Sequence, residues 1–478
     1  MSSALLIVPP FLKSATGPLL GPAMLAGAAA QAGHEVEVID LNARWIAGVP
    51  FGDTLWTPPP FVGDHDRDEG FLRLVQEHFR ARTLGHICVG GGRAVSLEAI
   101  LALRAGHEPV ACAARHVAAS ERAWIDAQLG SAAWPDVFGV SVMYGGQVLW
   151  ALAVTLAARE RWPGVPVVWG GAHVTALADE IARDARYGVA ADAFVAGYAE
   201  GTFVDLLDAI AEQAPWPSAC FRAGGRHWER ARPDDGGVVP TFRDVRLPRG
   251  ARLTLPTQLS RGCAYGRCAF CTYPTTEGPY RDLAATSAQG VIDEAIRRGA
   301  YVSFKDSLLT PPLLRQAGRL VDGRTAWSGC TKLSPALDAA MLKELASQGC
   351  RTLEIGLETL LDDAQVLVDK RQSRGLFLRT LEAADAAGVA LVINYMTGFP
   401  GVDRVEEDRC LGAVAQAVAA RPSLVAKIEH NRFELERGAP LAKSLPAGVE
   451  VTRRWPWSSV LEWRYTAPRA ARRLAVVA

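Results

Sequence analysis

The chain has 478 residues, 49% hydrophobic and 21% charged, which is too long for one ordinary core and points to two or three domains of a globular protein. Its 51 basic and 51 acidic side chains cancel, so the composition supplies no general attraction to nucleic acid or to an anionic membrane. Nine cysteines in so long a chain, six of them scattered singly, exclude a secreted disulfide framework.

The N-terminal residues carry a short apolar run without a basic segment before it. The Ala-rich stretch 18–32 is interrupted by Gly21, Pro22 and Gly27. No run reaches the roughly 18 uninterrupted apolar residues of a membrane span. A cytoplasmic location without membrane contact is the expectation.

In chain order, residues 4–8 predict a strand, 18–32 a helix and 34–41 a second strand, a βαβ unit that implies a parallel sheet. Between 42 and 135 the pattern is poor. It offers helix-like pieces at 71–82 and 120–129, a strand near 86–89 and the triplet Gly90-Gly-Gly92. Strands follow at 137–143, 165–169 and 193–195, with helices at about 147–161 and 177–185. Glycine-rich turns stand just past these strands: Ser141-Val-Met-Tyr-Gly-Gly146, Gly170-Gly-Ala-His173 and Gly197-Tyr-Ala-Glu-Gly201. In an open α/β sheet the ligand crevice lies outside the carboxyl ends of the strands, and glycine there admits a ligand close to the backbone. Three such turns on one sheet edge suit a large cofactor with a long polar tail.

Residues 216–250, rich in proline and glycine, read as a linker or an antiparallel excursion. Six strands then alternate with helices, at 255–260, 301–305, 325–331, 352–356, 390–395 and 424–430. Six β/α repeats predict a partial parallel barrel with its chemistry at the carboxyl ends of the strands. Directly after the first of these strands come Cys263, Cys268 and Cys271. A structural zinc takes four protein ligands, and no Cys or His pair at zinc spacing follows, so three thiolates leave one position open to a substrate or cofactor.

Two parts of the chain resemble one family. The order Pro-Pro, Ala-Gly-His-Glu-Val-Glu-Val-Ile-Asp, Phe-Gly-Val-Ser-Val, Val-Val-Trp-Gly-Gly-Ala-His and Ala-Gly-Tyr-Ala-Glu-Gly over residues 1–215 is similar to the cobalamin-binding domain of the B12-dependent radical SAM enzymes. The three-cysteine loop, with Phe270 before its last cysteine, resembles the radical SAM cluster loop. Its spacing, Cys-x4-Cys-x2-Cys, is one residue longer in the first gap than the usual Cys-x3-Cys-x2-Cys, and Tyr265-Gly266 is the turn expected to absorb that residue. Gly197-Tyr-Ala-Glu200 stands where many members have Gly-Glu-Gly-Glu.

The resemblance implies an N-terminal Rossmann-like sheet binding cobalamin (1–215), a linker (216–250), a partial (β/α)6 radical SAM barrel (251–435) and a C-terminal extension (436–478). It implies a [4Fe–4S] cluster on Cys263, Cys268 and Cys271, whose open iron chelates S-adenosylmethionine (SAM). Phe270, Asp306, Lys332, Glu358 and Gly398 are then the SAM-side candidates. Pro10, Ser141, Tyr144, Gly145, Gly170, Gly171, His173, Gly197 and Glu200 are the cobalamin-side candidates. The Asp-x-His-x-x-Gly motif that supplies a cobalt-ligating histidine elsewhere is absent, since Asp64-His65-Asp66 lacks the spacing. The implied activity is methylation of an unactivated carbon of a small-molecule or natural-product substrate, with electrons from a flavodoxin- or ferredoxin-like donor. Cyclisation, ring contraction or rearrangement without methyl transfer is the alternative chemistry. A cobalamin sensor or carrier with a structural cluster is the alternative class. The tryptophans of the extension are expected to pack on the barrel, cap its open side or line a substrate pocket.

Overall fold

The computed structural model describes residues 1–10, 17–47, 86–89, 93–96, 110–111, 114–117, 119–234, 237–243, 245–247 and 252–466. Asp64–Asp66, the helix expected at 71–82, the triplet at 90–92 and Cys112 lie outside them.

The first sheet is built from β1 (Ser3–Val8), β2 (Glu35–Asp40), β5 (Val137–Ser141), β6 (Val167–Gly170), β7 (Ala193–Val195) and β8 (Cys220–Phe221), while β3 (His86–Val89) and β4 (Arg93–Ser96) form a separate hairpin. The spatial order is β2-β1-β5-β6-β7-β8, parallel throughout except for the antiparallel edge strand β8. Helices Leu20–Gln31 and Val148–Arg161 make crossovers long enough to return the chain parallel, whereas Glu200–Glu212 leads from β7 to the antiparallel β8. β1 and β5 are adjacent but run on to opposite sides of the sheet, so the switch point of the topology lies between them. The stretch read as a linker supplies β8 and bridges Arg230 to Ala196, closing the sheet edge.

The second sheet contains β9 (Thr254–Thr257), β12 (Tyr301–Phe304), β13 (Trp327–Thr331), β14 (Cys350–Glu358), β15 (Ala390–Thr397) and β16 (Ala426–Arg432), all parallel and in sequential order. This is the six-stranded partial barrel, open between β16 and β9. A short ladder of β10 (Ser260–Arg261) and β11 (Arg281–Asp282) frames the cysteine loop. Leu255, Val302, Trp327, Leu353, Leu391 and Ile393 point outward into a core shared with the surrounding helices. The extension forms a three-stranded sheet, β17 (Leu435–Glu436), β18 (Val449–Arg454) and β19 (Val460–Tyr465), in the order β17-β19-β18.

The extension departs from expectation. Trp457 is 2% exposed and belongs to the core of the first domain, with its ring 4.6 Å from Tyr187 and 5.9 Å from Trp169. A large apolar ring gains most where a cavity can enclose it, and the first domain supplies that cavity. Trp463 stays with the extension, its ring 5.8 Å from Phe433.

Candidate active site

The cysteine loop leaves β10 and is held from several directions. The Tyr265 hydroxyl donates to the Asp369 carbonyl at 2.6 Å, and Gly266 takes φ 58°, a left-handed conformation that costs glycine little. The longer first gap is therefore occupied by an anchored turn. The Ala269 N–H donates to Val368 at 2.9 Å, and its carbonyl accepts from Leu441 of the extension at 2.8 Å. Phe270 packs beside Ala269 in the apolar cluster of Phe399, Phe433, Leu441 and Leu461.

All three thiols are unbridged. Among the described residues no three His, Cys, Asp or Glu side chains converge on one point as ligands of a single ion would. Cys263, Cys268 and Cys271 nevertheless lie within electrostatic reach of one another. A cubane cluster takes its cysteines on separate iron corners, so a thiol set that faces inward without meeting suits it better than a mononuclear metal. Burial raises Cys268, and pushes Cys271 up to about 12; a cationic centre is what turns such thiols into thiolate ligands.

Glu358 ends β14 at φ 63°, within a γ-turn closed by Thr359 N–H to the Leu357 carbonyl at 2.8 Å. A non-glycine residue held there, beside a register shift in β14–β15, is strained backbone at a strand end that faces the cysteines. Its carboxylate pairs with Lys370 at 2.6 Å. Lys370 also faces the Phe270 ring at 6.0 Å and the thiols of Cys268 and Cys330, and no sequence motif singled it out. Lys332, expected near SAM, has its ammonium 3.4 Å from the centre of the Tyr265 ring. Gly398 donates to Glu407 at 2.9 Å, and Phe399 does so at 3.0 Å; this buried carboxylate pins the turn and was not anticipated.

Asp306, expected on the SAM side of the barrel mouth, is buried and held by donors of its own domain. Its carboxylate accepts from Ser260 N–H and Oγ, each at 2.6 Å, and from Leu259 N–H at 3.0 Å, which ties the strand-two turn to the root of the cysteine loop. Burial moves its pKa up to about 6 against the pull of those hydrogen bonds.

On the first domain, the candidates lie past the carboxyl ends of β1, β5, β6 and β7. Buried Gln147 accepts from Met143 N–H and donates to the Pro9 carbonyl, both at 2.7 Å, joining the Pro9-Pro10 turn to the turn that carries Ser141, Tyr144 and Gly145. Gly171 adopts φ 101°, and a Cβ there would stand 2.4 Å from the Val142 carbonyl, so only glycine lets these two turns touch. Gly170 precedes it at the end of β6, and Thr175 Oγ1 links Gly171 to Gly197 by bonds of 3.0 and 2.8 Å. His173 is buried, with Nε2 at 2.9 Å from the Trp457 carbonyl. Burial lowers its pKa to about 4, and Arg437 pushes the same way.

Glu200 is engaged elsewhere than expected of a cobalamin contact. It forms a two-pronged pair with Arg261, at 2.6 and 3.1 Å, and both side chains are under 5% exposed. The Arg261 guanidinium also lies 4.1 Å from the Tyr198 ring, Tyr198 hydrogen-bonds Glu277, and Glu277 accepts from Gly262 N–H at 3.0 Å. The turn after β7 thus grips the residues immediately before Cys263. Two sheets that present their carboxyl ends to ligands are joined at those ends by this buried latch.

A model of the B12 binding domain matches residues 125–207, and a model of the Radical SAM superfamily matches residues 257–409. The chain thus carries a B12 binding domain followed by a Radical SAM domain. Cobalamin, a [4Fe–4S] cluster and SAM are the cofactors of such domains, and the thiol set and the crevice at the switch point fit them. Among solved structures, the chain is similar in fold to the radical S-adenosylmethionine methyltransferase TsrM from Kitasatospora setae with cobalamin and a [4Fe–4S] cluster bound. The identity is 16%, the match covers 98% of this chain and 88% of that one, and the TM-score is 0.61. The cobalamin-dependent S-adenosylmethionine radical enzyme OxsB matches at 13% identity over 93% of this chain and 60% of that one, with a TM-score of 0.58. The ribosomal protein uS12 methylthiotransferase RimO of Pelotomaculum thermopropionicum is 24% identical over 216 residues, 41% of this chain and 47% of the relative. The chain spans about half the length of the curated relatives it matches. No described helix is long and apolar enough to cross a membrane.

Proposed function

We propose that this radical SAM protein is a methyltransferase acting on a carbon of a small-molecule substrate. The observation that carries the reading is the buried latch Glu200–Arg261, which ties the glycine-rich edge of the B12 domain to the root of the cysteine loop. A methyl carrier and a radical source act on one substrate carbon only if they are held close and in fixed orientation. When bound, a cluster reduced by one electron from an external donor would supply the reductive cleavage of SAM, and cobalamin would supply the methyl carrier.

The chain's own residues then divide the work. Cys263, Cys268 and Cys271 hold the cluster, and Lys370 offsets the negative charge of thiolates and cluster. Glu358, Lys332 and Gly398 line the SAM side, where a strained carboxylate at a strand end is aimed before the ligand arrives. Pro10, Ser141, Tyr144, Gly145, Gly170, Gly171, His173 and Gly197 form the cobalamin edge. Buried and neutral, His173 is a positioning group held by Trp457. A small-molecule substrate is in keeping with TsrM, one of whose structures contains its tryptophan substrate. Electrons would come from a flavodoxin- or ferredoxin-like donor.

The test is anaerobic reconstitution with iron, sulfide, hydroxocobalamin, SAM and dithionite. Formation of 5′-deoxyadenosine is expected, and its absence would overturn the radical assignment. A product heavier than its substrate by one CH2 is expected, and SAM consumption with an unchanged carbon count would replace methylation by rearrangement. Cys271→Ala should lose cluster absorbance and SAM cleavage while keeping cobalamin.

A further inference from the structure

Barrel interiors of this kind are ordinarily filled by layers of Val, Ile and Leu. Here the register places a polar layer in the lumen. Cys330 pairs with Glu354, Glu354 with Val392 and Val392 with Lys427, while Lys305 stands one residue past the Phe304–Gly329 pair and so enters the same layer. The layer below holds Ser303 and Ser328, whose hydroxyls are 3.4 Å apart. Glu354 lies in the middle of a central strand and still keeps its solvent exposure, as does Lys305, so both face open space inside the barrel.

The charges in this layer are unevenly matched. Lys427 is paired with Glu429 at 2.6 Å. Asn394 Nδ2 donates to Glu354 Oε1 at 2.7 Å, which orients that carboxylate and leaves its second oxygen to the lumen. Among the described residues, no ion pair or hydrogen bond reaches the Lys305 ammonium, and it is not paired with Glu354. Enclosure by the barrel wall lowers the Lys305 pKa although its tip opens to the lumen, while the nearby Glu354 raises it. The Cys330 thiol lies between them on the intervening strand, within electrostatic reach of both Glu354 and Cys263.

A neutral ligand would leave two opposite charges desolvated and unpaired, and an anion would satisfy Lys305 while opposing Glu354. A ligand carrying both signs satisfies both. We propose that Lys305 and Glu354, with Asn394 bracing the latter, form a subsite that anchors the head group of a free α-amino acid, its carboxylate on Lys305 and its ammonium on Glu354. The subsite rests on the methyltransferase reading for its role as a substrate site. It borders the cysteine loop, where the amino and carboxylate groups of SAM belong, since Glu354 acts on Tyr273 and Cys330 lies within electrostatic reach of Cys263, so the experiment must tell the two ligands apart.

The experiment uses the full chain with cluster and cobalamin reconstituted. Calorimetry is run with each of the twenty L-amino acids, with the methyl ester of any that binds, and with SAM. At least one amino acid should bind saturably. Its methyl ester should bind at least about tenfold more weakly, the scale of one charge-assisted contact. Lys305→Met should weaken the amino acid by a similar factor yet leave the ester unchanged, and Glu354→Gln should weaken both. Both variants should retain cluster absorbance and SAM affinity. Binding of SAM with no binding by any amino acid would overturn the subsite and leave the radical SAM reading intact. Loss of SAM affinity in Lys305→Met or Glu354→Gln would assign the layer to SAM and also overturn it. Failure of the wild type to take up cluster or SAM would instead count against the function itself.

Discussion

Lys370 shows what a single residue adds to the site. It pairs with Glu358 at 2.6 Å and faces two thiols, yet it lies 12 positions beyond Glu358, outside any recognisable motif. Removing a positive charge beside an anionic centre disfavours the added electron. Lys370→Met should therefore shift the cluster midpoint to more negative potential by roughly 60 mV, a tenfold change in a one-electron equilibrium. Potentiometric titration followed by electron paramagnetic resonance reads this, and an unchanged potential would show that Lys370 serves Glu358 alone. The three cysteines were legible because ligands taken from one loop keep a short spacing. Lys370 was not, because a charge that acts through space needs no fixed distance along the chain. Asp306 and Glu200 were noticed for the right positions but are occupied by Ser260 and Arg261, partners that only folding brings near.

At the scale of elements, all six barrel strands and the principal strands of the first sheet follow from short apolar runs bounded by glycine, proline and charge. Apolar periodicity is a local property, so it survives in the sequence. The turn Gly170–His173 was legible as glycines after a strand, but the burial of His173 was not. In the unfolded chain its ring takes a proton near the ordinary 6.5, whereas in the folded chain it does so only at about 4. Its contribution is fully present above pH 6.5 and is lost as the pH falls toward 4, roughly 3 kcal/mol across that window. Thermal melting between pH 7.5 and 4.5 should show this fall, and His173→Gln should flatten it. An equally steep fall in the variant would place the titration elsewhere.

Across the whole molecule, the joints between the two cofactor domains include Glu200–Arg261 at the cysteine loop, Arg230 on the carbonyls of Thr275 and Thr276, and the extension, which holds Ala269 at one end and buries Trp457 at the other. Breaking one partner of a buried ion pair leaves the other charge uncompensated, so Arg261→Met should destabilise the protein by about 3–5 kcal/mol, and adding Glu200→Met should restore most of the loss. Urea unfolding of the single and double variants measures this; additive losses would mean that the pair carries no coupling. Trp457→Ala should cost about 3–5 kcal/mol through the cavity it leaves. Its effect should appear as faster amide exchange in the first domain, and exchange confined to the barrel would contradict the docking. A lone tryptophan carries no address in the sequence, so packing on the barrel, capping it and lining a pocket were all compatible with it; its partner is set by where a cavity of matching shape exists. The sequence by itself determined the element types, their parallel order and the close spacing of Cys263, Cys268 and Cys271 on one loop, since periodicity and spacing are written locally. Only the tertiary structure decided which charges are paired across domains, which way the barrel layers face and where the extension docks, because each depends on groups tens to hundreds of residues apart meeting in a low-dielectric interior.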